Sequence, residues 1–428
     1  MPEIMPFRAL RYSPSRCVGQ WDRLIAPPYD VLSADDKAAL LRGHDRNIVA
    51  IDLPHVPPKE AGPDEVYAQA AGTLQQWRQD GTLALDDQPA LYVYHQEYSF
   101  GGKRFLRRKF FARMRLEPFG TGTVFPHEQT FGGPKADRLK LMQATRCQLS
   151  AVFGLYSDPD HAVSKLLDPR SRPADVTATM EGVVNRLWVL RDAKIARAVA
   201  EHLARRPVFI ADGHHRYGTA LNYRDQLRGE QALPADHPAH FTLIGLCAME
   251  DPGAVIMPTH RVLSGFGKVA PARVIESLAQ GLMMKPAGGV NEPEKLLPWN
   301  SADDLCVYVT GKGQAYTARF TRREVLATLA PERSAAWRKL DLAYLHRYLI
   351  DELVTKAALG GTAPTIQYLK AADQAIDAAR QCHGIALLCK PCTMAELKAV
   401  SEAGDLMPQK STYFYPKLAT GLVINPLE

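Results

Sequence analysis

Four side chains that can carry charge stand close together in the segment PVFIADGHHRYGTALNYRDQLR, residues 207–228. They are Asp212, His214, His215 and Arg216. A guanidinium group binds phosphate and carboxylate oxygens well, and a histidine can carry a proton near neutral pH. The residue types therefore predict a site that holds an anion, with Arg216 as a phosphate ligand and Asp212, His214 and His215 as candidate catalytic residues.

The pattern around these residues predicts a buried strand, a turn and a helix. Val208–Ala211 is a short apolar run of the kind found inside a covered sheet, and Gly213 supplies the freedom that a sharp turn needs. From His214 onward, apolar residues recur at helical spacing. The start of such a helix offers unpaired backbone N–H groups and a positive dipole end, which favour phosphate or carboxylate. The alternative is that Asp212 simply caps the helix.

A second group of polar residues lies in a stretch with little regular pattern. His127 and Glu128 come first, and Lys135 and Arg138 follow in a predicted helix. Glu128 is a candidate general base on a hydroxyl group, or a carboxylate that holds a metal ion. Lys135 and Arg138 are candidate phosphate ligands, and His127 is a candidate substrate ligand. The alternative is that these charges pair with neighbours on a solvated helix face.

A third group lies near the C-terminal end of the sequence. Lys410 and Lys417 flank Ser411, Thr412 and Tyr413. The two lysines can neutralise phosphate oxygens as point charges, and the three residues between them are candidate substrate ligands. An edge strand with alternating side chains is the alternative.

His260 is a further candidate substrate ligand. It stands beside Arg261, directly after Pro258-Thr259.

The composition is that of an ordinary globular protein, with 428 residues, 46% hydrophobic and 23% charged. The length suffices for two or three domains with substantial cores. The net charge of +6 is small for this length. The densest basic run, residues 103–109, lies in an alternating strand pattern and is better explained as a solvated strand face than as a nucleic-acid patch. No nucleic-acid partner is expected.

The N-terminal residues contain no apolar signal segment, and no apolar run is long enough to span a bilayer. Seven cysteines, an odd number in a long chain, favour reduced thiols over a disulfide framework. We therefore expect a cytoplasmic protein without a membrane partner. The roles of Cys382, Cys389 and Cys392 stay open, as does the oligomeric state.

Strands alternate irregularly with helices, and several hairpins occur, which predicts a mixed α/β (α+β) fold. We expect an N-terminal α/β region, residues 1–190, and a second region, residues 191–428, with a soft boundary. The apolar run Asn47–Leu53 is predicted as a short strand.

The sequence contains no GxxxxGK[ST] loop, no GxGxxG after a strand, no HExxH and no GxSxG. The common nucleotide and hydrolase sites are therefore absent in their usual form. No set of protein residues is predicted to hold a metal on its own.

Over nearly its whole length the chain resembles a bacterial family known as domain of unknown function 1015. The matching motifs, in chain order, are PFRAL from Pro6, APPYD from Ala26, PHE from Pro126, KADRL from Lys135, ADGHHRY from Ala211, PTHR from Pro258 and MPQKSTYFYPK from Met407. The ordered set is specific, and the chain is identified as a member. The family label implies no settled activity.

The turn DGHHRY, residues 212–217, also resembles a motif of sulfiredoxins and ParB-type nucleotide-binding domains. It is most similar to the DGHHR form of free-serine kinases in that superfamily. The resemblance implies a ParB/sulfiredoxin-like core with an additional mixed sheet and helices. It also implies that Gly213, His214, His215 and Arg216 bind nucleotide phosphates. His214 stands where sulfiredoxins have their catalytic cysteine, so sulfinic-acid repair is not expected.

The resulting hypothesis is a nucleotide-dependent phosphotransferase that acts on a small hydroxyl metabolite, free serine being the acceptor suggested by the resemblance. Mg²⁺ with ATP or ADP is the expected cofactor, and Glu128 or Asp212 is the base or the metal-holding carboxylate. One alternative is a non-catalytic nucleotide-responsive binding protein. Another is a phosphomonoester hydrolase that uses His214 or His215 as nucleophile or acid.

Overall fold

The computed structural model describes residues 2–17, 19–128, 132–169, 172–230, 232–288, 291–310 and 313–428, with the backbone alone for residues 132–134. The chain forms two compact units. The first comprises Met1–Val255 with Pro416–Glu428, and the second comprises Ile256–Tyr415. The expected boundary near residue 190 falls inside the first unit, because one sheet takes strands from both sides of that position.

The first unit is built from short and long elements of both kinds. Its strands are β1 (Ile4–Met5), β2 (Leu10–Tyr12), β3 (Leu83–Leu85), β4 (Leu91–Phe100), β5 (Lys103–Arg115), β6 (Val124–Phe125), β7 (Cys147–Gln148), β8 (Val152–Tyr156), β9 (Val176–Met180), β10 (Val183–Leu190), β11 (Val208–Asp212), β12 (Phe241–Ala248) and a final strand at Asn425–Pro426. Its helices are α1 (Trp21–Leu24), α2 (Ala34–Gly43), α3 (Val49–Asp52), α4 (Asp64–Gln79), α5 (Gly132–Thr145), α6 (Ala162–Leu166), α7 (Ala193–Leu203) and α8 (His214–Glu230), with 3₁₀ turns at Tyr29–Val31 and Pro238–His240.

Nine of these strands form one mixed sheet. The order is β6-β11-β8-β12-β5-β4-β10-β9, and β1 pairs with β5. β6 and β11 are parallel, as are β8 and β12, whereas β11 and β8 are antiparallel. Apolar residues of α7 and α8 pack with those of β5, β8, β11 and β12 in one core. The predicted mixed α/β fold is confirmed.

β11 lies between β6 and β8 and carries the DGHHRY turn at its end. Val208, Phe209 and Ile210 are fully buried, which explains the continuous apolar run. The register with β8 shifts between Ile210 and Asp212, so a bulge interrupts the ladder just before the turn. Bulges re-aim side chains at the ends of strands. The predicted strand, turn and helix are confirmed.

The basic run in β5 is only partly solvated. Arg107 and Lys109 are buried, so the prediction of a solvated strand face is wrong for these two residues. The reason is that the segment Pro416–Glu428 returns to this strand from the far end of the sequence. Arg107 donates to the carbonyl of Pro416, and Arg113 donates to the carbonyl of Pro426 at 2.9 Å.

The second unit also mixes helices and strands. Its strands are β13 (Ile256–Met257), β14 (His260–Ser264), β15 (Leu282–Ala287), β16 (Leu305–Val309), β17 (Gln314–Phe320), β18 (Thr365–Leu369), β19 (Ile385–Cys389) and β20 (Tyr413–Phe414). Its helices are α9 (Pro271–Leu278), α10 (Pro293–Leu296), α11 (Val325–Leu329), α12 (Ala335–Arg338), α13 (Asp341–Ala343), α14 (Ala372–Gln381) and α15 (Met394–Glu402), together with a π-helix over Tyr344–Ala358.

Six strands of the second unit form an antiparallel sheet in the order β15-β17-β16-β19-β14-β18. Its core combines apolar residues of β14, β16 and β19 with Ala375, Ile376 and Ala379 of α14. β13 and β20 form a separate antiparallel pair. This unit therefore has its own hydrophobic core.

The predicted strand at Asn47–Leu53 is wrong, because these residues contain α3. Asn47 favours the helical turn: its Oδ1 accepts the N–H of Val49 at 2.9 Å, and its Nδ2 donates to the carbonyl of Ile25 at 3.0 Å. Short apolar runs do not distinguish a buried strand from a buried helical turn.

Two further features concern the length of the helices and the state of the cysteines. Within the described ranges, the helices are all too short or too polar to cross a membrane. All seven cysteines are described and each is a free thiol; Cys382 is exposed and the other six are buried. The prediction of reduced thiols therefore agrees with the structure.

Two glycines of the first unit should respond in opposite ways to alanine. At Gly154 in β8, a Cβ would lie 2.8 Å from Ile244 Cδ1 and 2.9 Å from Val208 Cγ1, so Gly154→Ala should lower the free energy of unfolding by about 1–3 kcal/mol. At Gly72 in α4 a Cβ meets nothing within 4 Å. Gly72→Ala should therefore raise the free energy of unfolding by about 0.5–1 kcal/mol. Urea unfolding measures both, and equal effects would contradict the packing described for β8.

Candidate functional site

The candidate site is built around the first turn of α8. Gly213 has a φ of +85°, and a Cβ there would lie 2.9 Å from Nε of Arg216. Glycine is therefore required twice, for the backbone conformation and for the space that the guanidinium occupies. Arg216 reaches back across the turn and its Nη2 lies 2.8 Å from Oδ2 of Asp212. The turn is thus closed by an ion pair across its own residues.

Lys417 completes this ion pair from a distant part of the sequence. Its Nζ lies 2.7 Å from Oδ1 of Asp212, although the two residues are 205 positions apart. Each carboxylate oxygen of Asp212 therefore faces a different cation, Arg216 on one side and Lys417 on the other. The structure thus brings two residues of the first predicted group, Asp212 and Arg216, together with Lys417 of the third. We call Asp212, Arg216 and Lys417 the triad.

The triad keeps Asp212 ionised. Burial by itself raises the pKa of this carboxyl, but the charges of Lys417 and Arg216 outweigh it, and the net pKa lies well below the ordinary value. A carboxylate stabilised in this way is a weak base. Asp212 is accordingly better suited to hold a cation or to orient Lys417 than to remove a proton.

Arg216 is buried and both of its terminal nitrogens are engaged. Nη1 donates to the carbonyl of Ala151, and Nη2 donates to Asp212. Burial lowers the pKa of Arg216, and the charge of Asp212 more than compensates, so the net pKa is raised. The guanidinium therefore ties α8 to β11 and to the residue preceding β8. Its role as a phosphate ligand stays a prediction.

His127 and His214 form a buried pair beneath the turn. Nδ1 of His127 lies 2.7 Å from the carbonyl of Ile210, and the backbone N–H of His127 donates to Nε2 of His214 at 3.3 Å. The two rings meet edge to face with centroids 4.6 Å apart. These partners place the protons of both neutral rings on Nδ1. The pair connects the residues that follow β6 with both β11 and α8.

Both imidazoles are held neutral. Burial lowers the pKa of His127 to about 4, and burial together with the neighbouring His127 lowers the pKa of His214 well below its usual range. Neither ring is placed to carry a proton near neutral pH. The predicted catalytic role of His214 is thus not favoured by its surroundings.

Three other predicted residues near the turn are half-buried and so reachable by a ligand. His215 follows His214 on the first turn of α8, and Glu128 follows His127. Lys135 of α5 lies across α8 at Gly218, where a Cβ would be 3.0 Å from its Cε and 3.3 Å from its Nζ. The absence of a side chain at Gly218 makes room for this lysine.

Arg138 is buried in a separate cluster that includes Asp52, which the sequence reasoning missed. Its Nε donates to Asp137 at 2.7 Å, and its Nη1 donates to the carbonyl of Asp52 at 2.6 Å. The guanidinium also stacks on Tyr29 at 3.8 Å from the ring centroid. Asp52 accepts a hydrogen bond from Ser150 at 2.8 Å. Arg138 is therefore bound mainly by protein groups.

The sequence did contain a signal for part of this cluster. Tyr29 belongs to the motif APPYD and Asp137 to KADRL, and the two motifs meet at Arg138. Asp52 could be suspected only as a single carboxylate inside an apolar run. Burial raises the pKa of Asp52, against the lowering effect of Arg138.

A cavity of about 40 Å³ lies next to this cluster. Asp52, Arg138, Ser150, Arg216 and Thr219 supply its polar lining. Nη2 of Arg138 and Oγ1 of Thr219 are buried and have no hydrogen-bond partner among the described residues. About 10–15 Å³ suffices for one water by this measure, so the cavity is large enough to hold water.

The remaining predicted residues belong to the second unit. His260 is buried, and its Nδ1 accepts the N–H of Cys389 at 3.1 Å. Ser411 donates to the carbonyl of Pro408 at 2.6 Å, and Lys410 is exposed with a φ of +55°. These contacts are those of a folded turn and strand. Substrate binding by His260 and Ser411, and by Thr412 and Tyr413 beside them, stays a prediction.

Arg261, next to His260, connects the motif PTHR with the motif MPQKSTYFYPK in the folded chain. It is fully buried, and its Nη2 donates to the carbonyls of Gln409 and Lys410 at 3.3 and 3.1 Å. Its Nη1 donates to the carbonyl of Thr259. One guanidinium thereby fixes the loop that carries Lys410.

The protein alone offers no ready metal centre in the described ranges, since no group of three or more His, Cys, Asp or Glu side chains converges there. Mg²⁺ does not require one, because it usually binds through one or two carboxylates, water and substrate phosphates. Of the two predicted carboxylates, Asp212 has both oxygens paired with Arg216 and Lys417, whereas Glu128 is half-buried beside His127.

The chain belongs to the family described as protein of unknown function (DUF1015), which matches residues 4–343. The membership predicted from the ordered motifs is confirmed. A search of curated proteins found no match.

Solved structures show weak similarity. A mutant free serine kinase in complex with AMP has a TM-score of 0.34 and 9% identity, over 72% of this chain and 87% of the other. The same kind of kinase in complex with ADP has a TM-score of 0.33 and 10% identity, over 68% and 83%. C-terminally truncated SbnI from Staphylococcus aureus has a TM-score of 0.32 and 13% identity, over 71% and 84%. Scores in this range do not establish a shared fold, and no function follows from them.

The buried His127 should give the stability of the protein a pH dependence. An unfolded histidine has a pKa of about 6.5, whereas the pKa of His127 is about 4 in the folded protein. Between these values the unfolded state binds more protons, so the stabilising contribution is complete above pH 6.5 and is lost as the pH falls toward 4. In His127→Asn, whose amide can still donate to Ile210, urea unfolding at pH 7 and pH 5 should show a smaller loss than in the wild type. An equal loss in both proteins would contradict a buried neutral His127.

The unpartnered hydroxyl of Thr219 gives a second prediction. Thr219→Val removes a hydroxyl without a partner among the described residues, so the free energy of unfolding should stay unchanged or rise by up to about 1 kcal/mol. Thr145→Val is the matched control, because Oγ1 of Thr145 donates to the carbonyl of Leu141 at 2.7 Å, and it should cost about 1 kcal/mol. A loss at Thr219 as large as that at Thr145 would mean that a bound water satisfies the hydroxyl.

Proposed function

We propose that the chain is a nucleotide-dependent phosphotransferase that acts on a small hydroxyl metabolite, with the phosphates bound at the first turn of α8. The observation that carries the proposal is the triad at the start of this helix. Asp212 bridges Arg216 and Lys417 at 2.8 and 2.7 Å, directly beside the glycine turn. Free serine is the first acceptor to test, on the strength of the DGHHR motif.

Charge and helix geometry support an anion at this place. The triad carries two positive charges and one negative charge, and α8 is a 17-residue helix whose N-terminal N–H groups and dipole favour a phosphate. Lys135 of α5 adds a further half-buried cation, which lies against α8 at Gly218. Lys417 is the cation best placed to neutralise a phosphate, because its side chain is 17% exposed whereas that of Arg216 is 9% exposed.

Glu128 is the residue that we assign as general base or as the carboxylate that holds Mg²⁺. It is half-buried and follows His127, which is fixed to β11 through Ile210. Asp212 is less suited to take a proton, because its pKa is lowered by Lys417 and Arg216. When bound, Mg²⁺ would neutralise charge on the transferred phosphoryl group.

The alternative hydrolase mechanism with His214 as nucleophile has less support. Nε2 of His214 already accepts the N–H of His127, and the ring is buried. His215 is half-buried and stays a candidate acid or ligand. A nucleotide-responsive binding protein without catalysis would use the same triad, so the test below includes product formation.

The first experiment is calorimetric titration of ATP and ADP, each with Mg²⁺, into the wild type and Lys417→Met. We expect wild-type binding and a loss of affinity of about 10–100-fold in the variant, because a charge-assisted hydrogen bond contributes about 1.5–3 kcal/mol. Lys140→Met is the matched control: Lys140 is a lysine of α5 that pairs with Asp64 at the surface, and its loss should leave affinity unchanged.

Turnover is tested separately by incubating the protein with ATP, Mg²⁺ and serine, and by measuring ADP and phosphorylated acceptor. Glu128→Gln should form little product in either role; unchanged affinity for ATP with Mg²⁺ would indicate the general base, and weaker affinity the carboxylate that holds Mg²⁺. Binding without product in the wild type would favour the non-catalytic alternative. Absence of nucleotide binding in the wild type would overturn the proposal.

A further inference from the structure

The segment that delivers Lys417 is held over β4 and β5 by buried side chains. Nε2 of Gln96 donates to the carbonyl of Lys417 at 3.0 Å, and Arg107 donates to the carbonyl of Pro416. Two residues further along, the N–H of Ala419 donates to the hydroxyl of Tyr94 at 3.3 Å. The backbone on both sides of Lys417 is therefore fixed by side chains of the sheet.

Gln96 is the centre of this arrangement. It is fully buried, and its Oε1 accepts hydrogen bonds from Nη2 of Arg107 at 2.6 Å and from Nζ of Lys109. Its Nε2 donates to Oδ1 of Asn185 at 3.0 Å as well as to Lys417. The amide oxygen thus faces two cations and the amide nitrogen faces two oxygens. Only one orientation of the amide satisfies all four contacts.

The burial of Lys109 beside Gln96 is unfavourable for the charged form of the lysine. Burial, and next the charge of Arg107, lowers the pKa of Lys109 well below its usual range. Its Nζ contacts no carboxylate in the described part of the chain; it has Oε1 of Gln96 and the ring of Tyr94, whose centroid is 4.4 Å away. Burying a cation without an opposite charge costs several kcal/mol. Packing alone would be served better by an apolar side chain.

We propose that Gln96 is a positioning residue that acts through Lys417. Arg107 and Lys109 fix the amide oxygen of Gln96, so that its N–H group points to the Lys417 carbonyl. This contact sets the position of the Lys417 side chain beside Asp212. The inference rests on the proposed function, since it assigns Lys417 to the phosphates. Gln96 itself is fully buried in the sheet and is not expected to touch the nucleotide.

The sharpest variant is Gln96→Glu. Glutamate has the same shape and keeps an acceptor for Arg107 and Lys109. In place of the N–H donor, however, it presents an oxygen to the Lys417 carbonyl and to Oδ1 of Asn185. We expect ATP affinity to fall about 5–10-fold, the equivalent of one lost hydrogen bond. The midpoint of urea unfolding should not fall in parallel, because the new carboxylate pairs with two buried cations.

A double-mutant cycle tests whether Gln96 acts through Lys417. In the Lys417→Met background, Gln96→Glu should cause no further loss of ATP affinity, because the lysine that it positions is gone. Additive losses would overturn the proposal. The same cycle measured by urea unfolding, without nucleotide, should also show coupling, since displacement of the segment removes the ion pair between Lys417 and Asp212. If the wild type binds no nucleotide, the proposed function fails while this second cycle still decides the positioning role.

Gln148→Met is the matched control. Gln148 is a buried glutamine of the same unit whose amide bonds the carbonyl of Phe241 at 3.0 Å, the N–H of Leu243 at 2.6 Å and the side chain of Asn425 at 2.9 Å. Its loss should lower the midpoint of urea unfolding and leave both cycles with Lys417 additive. Coupling between Gln148 and Lys417 as large as that of Gln96 would mean that general loosening explains the effect, and would overturn the specific role of Gln96.

Discussion

The carboxylate of Asp212 is the group on which the first unit depends most. It joins the end of β11, the first turn of α8 through Arg216, and the returning segment through Lys417. Removing the carboxylate would leave two buried or half-buried cations facing each other. Such a loss is more destabilising than the loss of a surface ion pair, because burial limits the solvent that could compensate the remaining charges. The ion pairs of Asp212 with Arg216 and Lys417 therefore stabilise the first unit and also form the candidate site.

The residues around this carboxylate divide into two sets by exposure. His127, His214 and Arg216 are buried, and each binds a backbone group of a neighbouring element: Ile210, the His127 N–H and Ala151. Lys417 and Glu128 are more accessible. Residue types that suggest chemistry in the sequence thus include a structural set, which holds the turn in shape, and an outer set that a ligand can reach. Exposure, rather than residue type, separates them.

Much of the local structure could be predicted from the sequence, because it depends on neighbouring residues. The strand, glycine turn and helix from Val208 to Glu230 follow from an apolar run, one glycine and helical spacing. The helix at Val49–Asp52 was missed, since an apolar run of that length fits either element. The burial of Arg107, which donates to the carbonyl of Pro416, was missed as well. It depends on the segment Pro416–Glu428, which no local pattern connects with β5. The meeting of Asp212 with Lys417 depends on the same segment.

The first unit is discontinuous in sequence, and this has a consequence for how the protein is made. On the ribosome, α8 and β11 emerge long before Lys417, which follows the whole of Ile256–Tyr415. Until then Asp212 can pair with Arg216 alone, and Arg107 lacks the Pro416 carbonyl to which it donates in the finished unit. Domains generally fold as units during synthesis, the N-terminal parts first. Here the second unit can fold before the last segment of the first unit, Pro416–Glu428, has been synthesised. A nascent chain would therefore have the complete core of the second unit before it has the complete triad.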